Sequence, residues 1–317
     1  MRDIFSIGEM VIDFIPGSEP ASYIRKAGGA PANVAIAMAK NGLKAGMCCK
    51  VGDDDFGRFL VDTLKEYKVE VLCPKLCEEA ITTMAFVTLA DNGERKFTFA
   101  RKPGADMLLK PEEVLEAEVK DSVIIHAGSC SLSAQPEREA TEKAMKVGHE
   151  NGRLVSFDVN YRNLMWHDDQ DACAKAVMEN LPYVDLLKIS EEEVDMMGGE
   201  DSLPELMKKN DIAVIVETLG SEGAKVFFGD QVIRVNGIRV KAVDATGAGD
   251  AFWGAFLSSL RIQGVEKAAD FTEEILKNAI DYGNVSGCIC VQSKGAIVSI
   301  PTRAQIEEYL DREKNDK

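Results

Sequence analysis

The chain reads as an α/β protein: a mostly parallel sheet flanked by helices, with a smaller alternating β region near the N-terminus. Three observations carry that reading. From residue 122 onward, strand-like runs at 122–126, 154–158, 183–189, 213–217 and 224–228 alternate with helical stretches such as 136–149. That alternation argues for βαβ units and a parallel sheet covered on both faces. Earlier, 81–89 and 95–101 alternate as strands around Asp91-Asn92-Gly93-Glu94, and Asn-Gly is a strong hairpin signal. Finally, two glycine turns, at 28–29 and 247–249, each lead into an apolar helix-compatible run. Ligands should collect beyond the carboxyl ends of such strands.

Composition narrows the function. The 317 residues allow one large α/β domain or two smaller ones, and 45% hydrophobic content supports a sizeable core. Only the charged tail, 311–317, is expected to be disordered. A net charge of −16 argues against nucleic acid or an anionic membrane as partner. An anionic ligand remains compatible where the site supplies backbone donors and local positive charge. Asp3 and Glu9 interrupt the N-terminus, and no apolar run approaches a membrane span, so the chain is expected to be soluble and cytoplasmic. Eight cysteines without a Cys-x-x-Cys, and only three histidines, favour buried free thiols in a reducing compartment over a zinc site.

In chain order, 4–8 is a short apolar strand, and Asp13 interrupts the apolar run after it. Asp13 reads either as a solvated acid or as an acceptor for a diol. Gly28-Gly29 permits close backbone approach, and Pro31 suits the first turn of an Ala-rich helix that carries Asn33. Residues 44–52 read as a strand, 51–57 as a loop into a helix, and 69–71 as a further β segment. Phe97, Phe99 and Arg101 share one strand face. Asp158, Asn160 and Arg162 fall just past a strand, as does His126, which reads as a satisfied rim histidine. Ser190 with Glu193 fits a capping box opening a helix, with Lys188 just before it. Thr218, Gly220 and Gly223 lie in a loop between strands.

The segment 235–243 reads as a strand that feeds Asp244-Ala245-Thr246-Gly247-Ala248-Gly249-Asp250, with a helix starting near Ala248. Its first N–H groups and dipole suit an anion. Asp250 there is either a helix-start acid or a general base beside bound phosphate. The stretch is neither a Walker A loop nor a dinucleotide fingerprint. Residues 278–290 read as an apolar helix.

The 244–250 stretch resembles the C-terminal signature of the ribokinase-like (PfkB) carbohydrate kinases, Asp-Thr-x-Gly-Ala-Gly-Asp, with Ala245 in place of the first Thr. Gly28-Gly29-Ala30-Pro31-Ala32-Asn33-Val34-Ala35 resembles the family's N-terminal signature in its fructokinase form. Asp158-Val159-Asn160-Tyr161-Arg162 with Trp166, and Lys102-Pro103-Gly104-Ala105-Asp106-Met107-Leu108-Leu109, resemble fructokinase segments. The resemblance spans almost the whole chain and implies one ribokinase-like domain, 1–317, with a small β-sheet lid from about 10–25 and 81–101.

The resemblance also implies roles. Asp250 would be the base, and Gly247, Ala248 and Gly249 the anion hole. Asp13, Gly28, Gly29, Asn33, Phe97, Phe99, Arg101, Asn160 and Arg162 would serve the sugar. Lys188, Glu193, Thr218, Gly220, Gly223 and Asn278 would serve ATP, Glu193 through magnesium-bound water, and the 278–290 helix would wall the adenine pocket. As in potassium-activated relatives, Asp244, Thr246, Cys290, Gly295 and Ser299 would hold a monovalent cation (K+). The implied reaction is ATP-dependent phosphorylation of a sugar hydroxyl, with fructose first and ribose or 2-keto-3-deoxygluconate as alternatives. A sugar- or nucleotide-binding regulator and a Rossmann dehydrogenase are competing classes; intact Asp250 and Glu193 oppose the first, and the missing fingerprint opposes the second. Unpaired lid edges suit a homodimer through the lid.

Overall fold

The structure is a computed structural model that describes residues 1–19, 21–73, 75–89 and 95–315. The expected hairpin turn at 91–94 lies outside them. A nine-stranded sheet holds β1 (Arg2–Ile7), β4 (Ala45–Cys48), β5 (Glu70–Val71), β8 (Ser122–Gly128), β9 (Leu154–Asp158), β10 (Leu186–Ser190), β11 (Val214–Thr218), β12 (Gly223–Phe228) and β13 (Gln231–Asn236), in the order β13-β12-β11-β10-β9-β8-β1-β4-β5. It is parallel except where β12 joins β11 and β13. The second sheet holds β2 (Val11–Pro16), β3 (Tyr23–Gly28), β6 (Met84–Leu89) and β7 (Arg95–Ala100), ordered β3-β2-β6-β7.

Helices cover both faces of the large sheet, as an apolar parallel sheet requires. They are α1 (Ala30–Lys40), α2 (Asp55–Glu66), α3 (Glu116–Lys120), α4 (Glu137–Glu150), α5 (Gln170–Asn180), α6 (Leu203–Asn210), α7 (Ala248–Ile262), α8 (Glu273–Cys290), α9 (Ala296–Ser299) and α10 (Arg303–Asn315). Strand side chains alternate between two cores. Ile124, Leu154, Leu186 and Val214 join the core that includes Trp253 and Leu276, while Ile125, Val155, Leu187 and Ile215 join the one with Ala144 and Val177. The α1–α7 contact is close because Gly254 admits it; a Cβ there would fall 2.4 Å from the Ala37 Cβ. No helix among the described residues is long and apolar enough to cross a membrane.

The lid packs on α2 through its back face. Phe14 stacks on Phe86 with centroids 4.9 Å apart and meets Phe56 edge-on, while Arg25 lies 4.0 Å from the Phe59 ring centroid.

Several expectations need correction. The strand expected at 235–243 is β13, which ends at Asn236. Gly237 sits where a Cβ would meet Ser221 O at 2.4 Å, so the chain leaves the ladder there and runs irregularly to α7. No α-helix opens at Ser190: turns lead to a 3-10 helix at Asp195–Met197, and Gly198 and Gly199, with φ of 97° and 87°, end it. The tail expected to be disordered is instead helical as far as Asn315.

Candidate active site

The carboxyl edge of the large sheet supplies the first charged groups. Parallel register sets Lys188 beside Asp158, and the Lys188 ammonium lies 2.9 and 2.8 Å from the two Asp158 carboxylate oxygens. Both side chains are buried, so each offsets the other's desolvation. Burial lowers the Lys188 pKa, but Asp158 and Glu193 outweigh it and keep the amine charged. Glu193 accepts the Tyr161 N–H at 2.7 Å on one oxygen and the Ser190 N–H at 2.9 Å on the other. That second bond is the carboxylate half of the expected capping box, made without its helix.

The N-terminus of α7 faces this pair. Gly247 is left-handed at φ 79°, and a Cβ on it would stand 2.5 Å from the Ala296 Cβ. The Lys188 Nζ lies 3.7 Å from where a Gly249 Cβ would be, so ammonium and helix start converge. Of the three residues expected to form the anion hole, Ala248 already gives its N–H to Ala245 O at 3.2 Å. Asp250 is 7% exposed and accepts the Asn33 amide at 2.7 Å, which joins the two signature turns. Burial raises the Asp250 pKa; the Asn33 bond and the charges of Arg162 and Lys188 oppose the rise, and Asp158 adds to it. Arg162 follows β9 at the surface, with its charge felt by Asp250, Asp158 and Glu193.

On the lid side, Asp13 pairs with Lys26 in the β2–β3 ladder, and a Cβ on Gly28 would meet the Asp13 Oδ2 at 2.2 Å. Gly29, at φ 115°, would strike Glu9 O at 2.5 Å. The double glycine is thus what lets the carboxylate lie over the turn. Burial pushes the Asp13 carboxyl up to about 6. The row Asp13, Ala85, Phe99 crosses the lid ladder, which puts Phe99 on the Asp13 face. Phe97 pairs with Val87, but its side chain lies outside the described residues. Asn160 is buried and held at φ 38°, an uncommon conformation beside a strand end. Arg101 departs from its expected place. It follows β7 and spends its nitrogens on Asp106, Ser133 and Glu137, so it braces the lid root rather than presenting a free guanidinium.

A cavity of about 530 Å³ opens beside the α7 start, lined by Thr218, Gly220, Gly223 and Gly249 with apolar Ile238, Val240, Phe252 and Val291. Its mostly apolar wall and few polar groups suit a nucleotide base and ribose. Asn278 is not there: its amide bonds Gln263 at 3.1 Å on another face of α8. The wall is Asn284, Gly287, Cys288 and Val291, an i, i+3, i+4, i+7 stripe legible as a helix face once the helix is placed. The helix expected to wall an adenine pocket thus lines the cavity, but on a different face from Asn278, and sequence reasoning missed Val291 and Glu191.

The expected cation ligands gather next to this cavity. Asp244 accepts the Thr246 hydroxyl at 2.7 Å and the Gly295 N–H at 3.1 Å, and the Ser299 N–H bonds Gly295 O at 3.3 Å. The Ser299 hydroxyl is buried without a partner among the described residues, so an oxygen-seeking cation fits. Burial pushes the Cys290 thiol up to about 12, so Cys290 could contribute only through its carbonyl. For a magnesium ion, Glu193 would act through water, since amides occupy both its oxygens. His126 is structural: it bonds the Ser156 hydroxyl at 3.1 Å and burial lowers its pKa to about 4.

With fold and site in place, the class is defined: a ribokinase-like fold whose small sheet stands over two glycine turns joined by the Asn33–Asp250 bond. The chain belongs to the pfkB family of carbohydrate kinases, whose model matches residues 1–303. It is similar to Fructokinase-1 of Oryza sativa subsp. japonica, 37% identical over 318 residues, covering 97% of each chain. Among solved structures it resembles fructokinase from Xylella fastidiosa with bound ATP, at TM-score 0.90, 28% identity, and 98% and 99% coverage. It also resembles Vibrio cholerae fructokinase bound to fructose, ADP and calcium ion, at TM-score 0.88, 32% identity, and 98% and 99% coverage. A double mutant of the Vibrio protein holds fructose, ADP and potassium ion.

Proposed function

We propose that this chain is an ATP-dependent fructokinase that transfers the γ-phosphoryl group to a primary hydroxyl of fructose. The observation that carries the reading is the buried Asp250 carboxylate at the α7 N-terminus, bonded to Asn33 from the sugar-side turn. Its raised pKa makes it a better base, and burial keeps water from competing for the proton. Asp13 accepts sugar hydroxyls, with Gly28, Gly29, Asn33, Phe99, Asn160 and Arg162 around it. The Gly249 and Asp250 amides and Lys188 stabilise charge on the transferring group, and Asp158 keeps Lys188 fixed. Thr218, Gly220 and Gly223 border the nucleotide.

Magnesium, when bound, would offset the charge of the ATP phosphates, and Glu193 would hold it through water. Asp244, Thr246, Gly295 and Ser299 would hold potassium beside the anion hole. Eight buried free cysteines suit a reducing compartment, and we place the protein in the cytoplasm.

The test is a coupled ADP-release assay with magnesium and ATP against fructose, ribose, 2-keto-3-deoxygluconate and adenosine, with and without potassium. Fructose should lead in kcat/KM. Another sugar leading would move the substrate and keep the kinase. No turnover with ATP still bound would favour the non-catalytic regulator.

A further inference from the structure

The ends of three lid strands meet at one buried ionic node. Glu9 stands just before β2, Thr83 just before β6 and Arg101 just after β7. Arg101 donates from Nε to Asp106 at 2.7 Å, from Nη1 to Ser133 at 3.1 Å and from Nη2 to Glu137 at 3.1 Å. The Thr83 hydroxyl donates to the other Asp106 oxygen. Glu137 opens α4, so the node bolts the lid root to the floor of the large domain. Glu9 extends it toward the sugar site, accepting the Ala30 N–H at 3.2 Å at the start of α1. The second oxygen of Glu9 and one of Glu137 are buried with no partner among the described residues. The Arg101 guanidinium binds Asp106 and Glu137, and Glu9 lies near enough to feel its charge without bonding it. Ionising Glu9 and Glu137 beside one cation in so buried a place is costly, and burial raises both carboxyls.

We propose that Glu9, working in its neutral form, is a positioning residue for the sugar site: it ties the lid root to the Gly28-Gly29-Ala30 turn and so sets Asp13 and Asn33 against Asp250. The proposal rests on the sugar-kinase reading above. The connection is short. Glu9 precedes Asp13 on the same strand entry, and Asn33 lies one helical turn beyond Ala30, with its N–H on Gly29 O at 2.9 Å.

Burial pushes the Glu9 carboxyl up to about 7; the Asp106 charge adds to this, while Arg101 and the amides of Glu9 and Ala30 oppose it. Glu137 is pushed well above the usual range, by burial first and Asp106 next. Cys49 and Cys130 also face Glu9, and burial raises both thiols far enough to keep them neutral. Above about pH 7, Glu9 gains a charge that burial and Asp106 disfavour more than Arg101 and the Ala30 amide support it, and the node should loosen.

The experiment measures KM for fructose and for ATP from about pH 6 to about pH 8.5, a range set by the groups expected to titrate. In the unmodified protein the sugar KM should rise several-fold as pH passes 7 while the ATP KM stays level. Glu9→Gln, a permanently neutral shape mimic, should show a level sugar KM above about pH 7, where Asp13 is already in its acceptor form. Glu9→Ala should raise the sugar KM by about tenfold, the loss of roughly one good hydrogen bond, with kcat and ATP KM changed less than about threefold. A pH-independent sugar KM in the unmodified protein overturns the proposal whether or not the variants fold. So does a Glu9→Gln variant that keeps the unmodified profile.

A second readout needs no turnover. Glu9 is neutral when folded and ionised when unfolded between its ordinary value of 4.5 and about 7, so stability falls as pH rises through that window. Glu9→Gln should flatten that part of the Tm profile, and identical slopes overturn the proposal. A protein that phosphorylates no sugar, yet shows this flattening, has lost the kinase reading and kept the protonated node.

Discussion

Asp250 and Asp13 are both buried carboxylates, and their surroundings give them different work. Asp250 is held by Asn33 between cationic neighbours, at the end of a helix that favours negative charge. Asp250→Asn preserves shape and the Asn33 contact but removes the base. We expect kcat to fall at least ~100-fold with ATP affinity near normal, by steady-state kinetics and calorimetry; turnover within tenfold would sink the assignment. Asp13 has only desolvation acting on it, which pushes it up to about 6. Its acceptor form is present above that pH, so kcat/KM for sugar should fall as pH drops through 6. The same raised pKa means that ionising Asp13 costs folding stability as pH rises from its ordinary value of 3.8 to about 6. Asp13→Ala should raise the sugar KM well above any change in ATP KM and abolish the acid limb; an intact limb would assign it to another group.

The elements hold these groups by tight backbone contacts. Gly247→Ala would add a Cβ at positive φ and 2.5 Å from Ala296, so the α7 start must shift. We expect kcat to drop by tenfold or more, with about 1–3 kcal/mol of stability lost, read by kinetics and denaturant midpoint; a wild-type kcat would mean the turn is not the anion site. Strand positions were legible because buried parallel strands are short β-branched runs; β9 matches the expected 154–158. The glycine turns were legible because their backbone demands leave a residue-level mark. What sequence concealed was partnership across the chain. Nothing local marks Lys188 and Asp158 as one ion pair, and Asn278 looks as suitable as Asn284 until α8 has a rotational setting. Arg101 was misplaced for the same reason: strand alternation gives a face, but not the Asp106 and Glu137 that capture the guanidinium.

At the scale of the whole molecule, the lid is a small sheet with two open edges, β3 and β7, beside a large sheet enclosed by helices. Open edges invite pairing unless charge or cover prevents it. On β3, Tyr23 and Ile24 are 45% and 47% exposed, and Ile24 pairs with Ile15 on the face that carries Asp13. The Tyr23 ring meets Phe14 and Phe86 on the opposite face of β3. We propose that a second lid covers this edge, because the same apolar edge on two copies is self-complementary and can close with twofold symmetry. Sedimentation should therefore give about twice the 34.6 kDa chain mass at micromolar concentration. Ile24→Glu should place two like charges across the axis and shift the protein to monomer, with Tm of the monomeric fold little changed. Because β3 also carries Gly28, the monomer should bind sugar more weakly while its ATP affinity holds. An unmodified protein that sediments as a monomer would leave the lid edge capped by its own chain alone, and the sugar site complete within one copy.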